Sequence, residues 1–175
     1  RRISRRRVRR TMKLLLDTCV LIDYFGRREP FFEACNSLRI AEWYGEFELW
    51  ASAKSFTDVF YVLSRHIPAA DIQQAFCASA SFLHVVSIDG DDILNAAQAS
   101  WDDFEDCLVY QAAKKIGADC VVTRDKGGFS RSRISTMTPD EVGGWLRRER
   151  RRAYASVSIT REMVEKVRAR CGTES

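Results

Sequence analysis

The chain has 175 residues, 46% of them apolar and 30% charged, with a formal net charge of +4. That balance suits one globular domain able to bury a core without disulfide or metal staples, and excludes fibrous, low-complexity and disulfide-scaffold classes. No apolar run approaches the ~18–20 residues of a membrane-spanning helix.

The positive charge is local. Residues 1–11, RRISRRRVRRT, hold seven arginines and no acid; without them 21 basic residues face 24 acidic ones, a net of −3. The first methionine, Met12, directly precedes an apolar run. Residues 1–11 therefore read as a basic N-terminal extension of upstream or vector-derived origin, with a phosphate-contacting arm as the sharper alternative. No long apolar segment follows this basic start, so no secretory signal is expected. The six cysteines form no CxxC and only two histidines, His66 and His84, are present. Zinc spacing is absent, and most cysteines read as small core residues in a reducing cytosol. A cytoplasmic protein without membrane association is expected.

Strand and helix patterns alternate along the chain, which predicts an α/β fold with a central parallel sheet flanked by helices. Lys13–Leu16 reads as a buried strand. A helix from Thr18 to Phe25 follows, then a turn over Gly26–Pro30 and a helix from Phe31 to Tyr44. Glu48–Ala51 is a short strand, and Ala53–Arg65 a helix with Phe56, Val59, Phe60 and Leu63 as its apolar stripe. Asp58 falls on another face of that helix. A helix from Pro68 to Phe82, a strand at His84–Ile88 and a helix from Asp89 to Trp101 come next. Glu105–Ile116 is a helix presenting Val109, Ala112, Ala113 and Ile116 to the core, followed by a strand at Cys120–Thr123. Ile134–Met137 is a last strand, and Thr138-Pro139 opens a final helix to Arg150. The expected organisation is one domain over 12–152 and a C-terminal extension over 153–175, in which Arg161–Ala169 is amphipathic.

Four aspartates stand out. Asp17 and Asp125 each follow an apolar strand, at the carboxyl edge where open parallel sheets bind ligands. Asp106 lies in the first turn of a helix, whose dipole favours its ionised form. Asp58 sits mid-helix. Singly, each has a bland reading: a cap for Asp17, an exposed helical acid for Asp58, dipole complementarity for Asp106, a turn former for Asp125. Gathered, they would repel unless a cation joined them, and hard divalent ions with oxygen ligands suit that need. Such a centre fits phosphodiester hydrolysis, which requires no side-chain nucleophile.

The segments KLLLDTCVLIDYF, SAKSFTDVFYVLSR, DFEDCLVYQAAKKIGADCVVTRDKGGF and MTPDEVGGWL, in that order, resemble PIN-domain ribonucleases, in particular VapC-type toxins of bacterial toxin–antitoxin pairs. The resemblance covers Met12 to about Arg150. It implies a three-layer α/β/α fold, endoribonuclease activity dependent on Mg²⁺ or Mn²⁺, a cognate antitoxin and a homodimer. Carried over by position, Asp17, Asp58, Asp106 and Asp125 are the metal-binding and catalytic acids. Thr18, Asp103 and Thr123 are supporting candidates, with helix capping the competing role for Asp103. Asp58 stands where the family usually has Glu, one methylene longer.

Two other function classes compete. A phosphatase with Asp17 as nucleophile is disfavoured, because haloacid dehalogenase-like enzymes place a second Asp two residues later, where this chain has Cys19. A non-catalytic PIN-fold module binding RNA or protein draws on the change at Asp58. Arg124, Lys126, Arg131 and Arg133 read either as RNA-backbone contacts or as a solvated loop. The run from Arg147 to Arg152 reads as a solvated helix end. Trp43, Tyr44 and Trp50 read as core residues by default, with antitoxin contact or base stacking as alternatives.

Overall fold

A computed structural model describes residues 10–154, which form five strands and seven helices. The strands are β1 (Met12–Leu16), β2 (Phe47–Ser52), β3 (Leu83–Val86), β4 (Cys120–Val122) and β5 (Ser135–Met137). The helices are α1 (Thr18–Phe25), α2 (Phe32–Trp43), α3 (Ala53–Leu63), α4 (Ala69–Ser79), α5 (Gly90–Ala99), α6 (Phe104–Ile116) and α7 (Pro139–Glu149). All strand pairs are parallel, in the order β3-β2-β1-β4-β5. The central β1 pairs with β2 from Met12↔Phe47 to Leu16↔Ala51, and with β4 from Leu14↔Cys120 to Leu16↔Val122.

Period-two alternation divides the core into layers. Leu14 and Leu16 point into a cluster with Val20 and Leu21 of α1, Leu38 of α2, Val59 of α3, Ile72 of α4 and Val142 of α7. Leu15 points the other way, to Val109, Ala112 and Ala113 of α6 with Val121 and Phe129. Cys107 and Leu108 extend that side to Ala96 of α5. The expected three layers are therefore present. Strand β1, with no exposed face, is the apolar run read from the sequence.

Local chemistry sets the helix ends. Ser52 caps α3 through the Lys54 N–H, and Thr138 with Glu141 forms a capping box at α7, with Pro139 in its first turn. The left-handed Gly117, φ 62°, closes α6 and turns the chain into β4.

Some boundaries and burials differ from expectation. The helix expected to reach Phe82 ends at Ser79, and Phe82 N–H closes a turn onto Ser79 C=O at 3.0 Å. The strand expected over His84–Ile88 is Leu83–Val86; it lies at the sheet edge, so His84 and Val85 are exposed. Trp43 and Tyr44 are exposed rather than core, at 77% and 63%. Trp50 is half-buried and stacks on His84. Cys35, Cys107 and Cys120 are core residues, Cys19 is half-buried and Cys77 exposed. Cys171 and the amphipathic stretch Arg161–Ala169 lie outside the described residues. Among the described residues no helix is long and apolar enough to cross a membrane.

Candidate active site

The chain leaves β1 and β4 toward opposite sides of the sheet, so their adjacent carboxyl ends open a crevice. Asp17, the first residue after β1, is buried, and its N–H donates to Val122 C=O at 2.9 Å. Thr123, the first residue after β4, is fully buried. Its hydroxyl donates to Asp17 Oδ2 at 2.8 Å and accepts the Asp125 N–H at 2.9 Å. One hydroxyl thus joins the segments carrying two of the expected acids.

Asp17 also accepts from Cys19 Sγ at 3.1 Å and from the Thr18 N–H at 2.6 Å. Burial pushes its carboxyl up, against the hydrogen bonds from Thr123, Cys19 and Thr18, and the charge of Asp125 adds to the rise. The Cys19 thiol is pushed up to about 11, by burial and then by Asp17. At neutral pH it is therefore a protonated donor to Asp17. Thr18 faces away from these groups: its hydroxyl donates to Ser55 Oγ at 2.9 Å, tying α1 to α3.

Asp106 enters from the opposite layer. Asp103 caps α6, its Oδ1 accepting the N–H groups of Glu105 at 2.8 Å and Asp106 at 3.0 Å. The capping reading of Asp103 is correct. Burial pushes the Asp106 carboxyl up to about 7, and the negative charges of Asp17, Asp103, Asp125 and Glu105 push in the same direction. Asp125 is exposed, and its Oδ1 accepts from Gly127 N–H at 3.0 Å and Gly128 N–H at 3.3 Å. This turn folds the loop after β4 against α6. A methyl group on Gly128 would lie 1.7 Å from Asp106 Oδ2, so only glycine permits the approach.

Asp58 is placed differently. Its Oδ2 lies 2.6 Å from Lys54 Nζ, which also lies 3.2 Å from Glu105 Oε1. Burial works against the Lys54 ammonium, but the bonds to Asp58 and Glu105 outweigh it and raise its proton affinity. The structure therefore brings Asp17, Asp106 and Asp125 into one electrostatic field and holds Asp58 in an ion pair. Ser55, Lys54, Glu105 and Gly128 were not foreseen as parts of the site. Only the Lys54–Asp58 spacing of four could have been read from the sequence.

Among the described residues no three His, Cys, Asp or Glu side chains form a ready-made ligand group. The donor chemistry nevertheless fits a hard divalent cation. Asp17, Asp106 and Asp125 supply oxygens only, and their repulsion is what such an ion relieves. The nearby cations mostly serve the fold. Arg124 bonds the fully buried Asp23 through Nε at 2.5 Å and lies over the Phe31 ring. Lys126 pairs with Glu141, and Arg131 closes the end of α5 through Ser100 C=O at 2.6 Å and Ala99 C=O at 2.9 Å.

A family model described as PIN domain matches residues 13–127. No curated protein matches the chain. Three solved structures are similar in fold. VapBC2 from Rickettsia felis, bound to a DNA fragment from its promoter, aligns with TM-score 0.55 at 14% identity, over 73% of this chain and 98% of that one. VapC20 from Mycobacterium tuberculosis, a sarcin–ricin loop cleaving toxin, aligns with TM-score 0.55 at 13% identity, over 67% and 94%. A toxin–antitoxin complex from Klebsiella pneumoniae aligns with TM-score 0.52 at 18% identity, over 72% and 97%.

Proposed function

The chain belongs to the PIN-domain family, and from that premise we propose that it is a metal-dependent endoribonuclease hydrolysing RNA phosphodiester bonds. The observation that carries the proposal is the meeting of Asp17, Asp106 and Asp125 at the sheet's switch point, where Asp106 is pushed up to about 7. Carboxylates held together against their own repulsion, with oxygen donors only, suit Mg²⁺ or Mn²⁺. When bound, the ion would supply positive charge for phosphate oxygens and acidify a water.

The protein's residues divide the remaining work. Asp17, Asp106 and Asp125 would hold the cation, while Asp58, the fourth expected acid, stands in its ion pair with Lys54. Thr123 orients Asp17 through its hydroxyl and positions Asp125 through the backbone bond it accepts. Cys19 and the Thr18 N–H keep the buried Asp17 oxygens occupied. Asp103 fixes the first turn of α6 and so the placement of Asp106. Cys19 stands where the phosphatase reading needs a carboxylic acid, and a thiol pushed up to about 11 is too weak an acid to replace it, which keeps that reading disfavoured.

The likeness in fold to toxin–antitoxin proteins supports a toxin held by a cognate antitoxin; a homodimer acting in the cytoplasm completes this reading. The proposed catalytic unit is 12–152, flanked by the extensions 1–11 and 153–175. One specific observation favours a second reading, a non-catalytic PIN-fold module binding RNA or protein: Asp58 is already neutralised by Lys54.

The test is cleavage of structured and unstructured RNA with Mg²⁺, Mn²⁺ or EDTA, beside Asp106→Asn. Removing an oxygen donor of the cation is expected to lower cleavage at least 100-fold, about 2.7 kcal/mol of barrier. Equal cleavage by Asp106→Asn, or cleavage unaffected by EDTA, overturns the proposal.

A further inference from the structure

Lys54 belongs to no part of the nuclease reading, yet its ammonium sits between two carboxylates at the rim of the acidic site. Nζ lies 2.6 Å from Asp58 Oδ2 and 3.2 Å from Glu105 Oε1. Both Lys54 Nζ and Asp58 Oδ2 are shut off from solvent and neither makes a well-oriented hydrogen bond, so their contact is an ion pair held by charge, although the side chains as wholes are 22% and 27% exposed. An ordinary exposed pair at i and i+4 would leave those atoms wet and worth a few tenths of a kcal/mol. Here the lysine also spans from α3 to α6, reaching Glu105 one residue before Asp106.

Resting on the metal-dependent reading above, we propose that Lys54 is a positioning residue that acts as an internal counter-cation. It holds Asp58 and Glu105 in place of a metal ion, so that the divalent cation is borne by Asp17, Asp106 and Asp125. Asp58 joins that set only if the ammonium is displaced. The short reach of Asp58 fits this division: an aspartate four residues after Lys54 closes onto its own helix's lysine, leaving its charge spent before any metal arrives.

The proposal makes Lys54 and Asp58 energetically coupled in metal binding. Mn²⁺ affinity and stoichiometry, measured by calorimetry and by the electron paramagnetic resonance of free Mn²⁺, read this directly without RNA. Lys54→Met removes the charge and keeps the packing stem. It is expected to tighten Mn²⁺ binding about tenfold or add a second equivalent, because a unit positive charge leaves the rim of the site. Lys54→Arg is expected to restore wild-type binding. Asp58→Asn is expected to weaken Mn²⁺ binding far more in the Lys54→Met background than alone, the signature of coupling in a double-mutant cycle. Circular dichroism and melting curves identify any variant that has lost its fold; if Lys54→Met is among them, Asp58→Asn alone decides the case, since a loss of Mn²⁺ affinity as large as that of Asp17→Asn would place Asp58 among the metal's own ligands and overturn the proposal.

Mn²⁺ bound by the wild type with affinity and stoichiometry unmoved by Lys54→Met overturns the proposal and leaves the nuclease reading standing. The same holds if Asp58→Asn costs as much alone as in the Lys54→Met background. No Mn²⁺ bound by wild type or by any folded variant overturns the metal-dependent reading itself, and this inference with it.

Discussion

At the residue scale, Gly128 shows how little of a site needs to be functional in its own right. It has no side chain to offer, yet Asp106 Oδ2 occupies the space where its Cβ would be, 1.7 Å away. Gly128→Ala must therefore move either the loop or the carboxylate. The core anchors hold: Phe129 next to it is buried against Val109 and Val121, and Thr123 is tied to Asp17. The carboxylate is the part that yields. The expected outcome is a folded protein whose RNA cleavage falls roughly tenfold to 100-fold, since small misplacements of a reacting group carry penalties of that order. Activity assays on the purified variant check it; wild-type turnover would show that the contact is dispensable. The sequence did not announce this role. RDKGGF reads as a turn from its glycines alone, and only the packing of that turn on α6 separates a structural glycine from one that makes room for an acid.

Elements tell a similar story about charge. Arg124 stands beside Asp125 in the chain, and its positive charge invites an RNA-contact reading. The helix α1 claims it instead: Asp23, fully buried, takes its Nε at 2.5 Å and Nη2 at 3.4 Å, while the exposed Arg28 reaches Asp23 only at 3.8 Å. Removing Arg124 leaves a buried carboxylate without its main partner, a loss of about 3–5 kcal/mol in comparable pairs. Arg124→Ala is expected to lower stability by about 3 kcal/mol on that scale, and Arg124→Met with Asp23→Leu to recover most of it. Chemical denaturation measures both. A neutral effect on stability with loss of RNA affinity would return Arg124 to the RNA. Most strands and helices, and the sheet-edge places of Asp17 and Asp125, were legible because each rests on a local pattern: an apolar run, a stripe, a cap. Arg124–Asp23 and Lys54–Glu105 were not legible, because each joins segments that only the tertiary fold brings together. Trp43 and Tyr44 were misread for the same reason, as aromatic content does not say which end of α2 the core covers.

For the whole molecule, the acidic site should appear as a pH-dependent loss of stability when no cation is present. Asp106 is pushed up to about 7 in the folded protein, and Asp17 is shifted in the same direction, whereas an unfolded aspartate titrates near ~3.9. Between those values the native state holds more protons than the unfolded state. Stability therefore falls as pH rises through that window, from roughly pH 4 to about 7, and the penalty is complete above it. Asp106→Asn removes one ionisation and the repulsion it brings. In EDTA the variant is expected to melt a few degrees above wild type at pH 8 and close to it at pH 5, where Asp106 is largely protonated. Added Mg²⁺ reverses the comparison at pH 8, because an ion that binds only the folded state raises its melting temperature, and more so the tighter it binds. The wild type gains and the variant gains less. Scanning calorimetry of the two proteins at both pH values, with EDTA or Mg²⁺, checks all of this at once. If Asp106→Asn is less stable than wild type at pH 8 in EDTA, the carboxylates are held by favourable contacts rather than against their repulsion. The site would then have no electrostatic demand for a cation, and the central support for metal-dependent catalysis at the sheet's switch point would be gone.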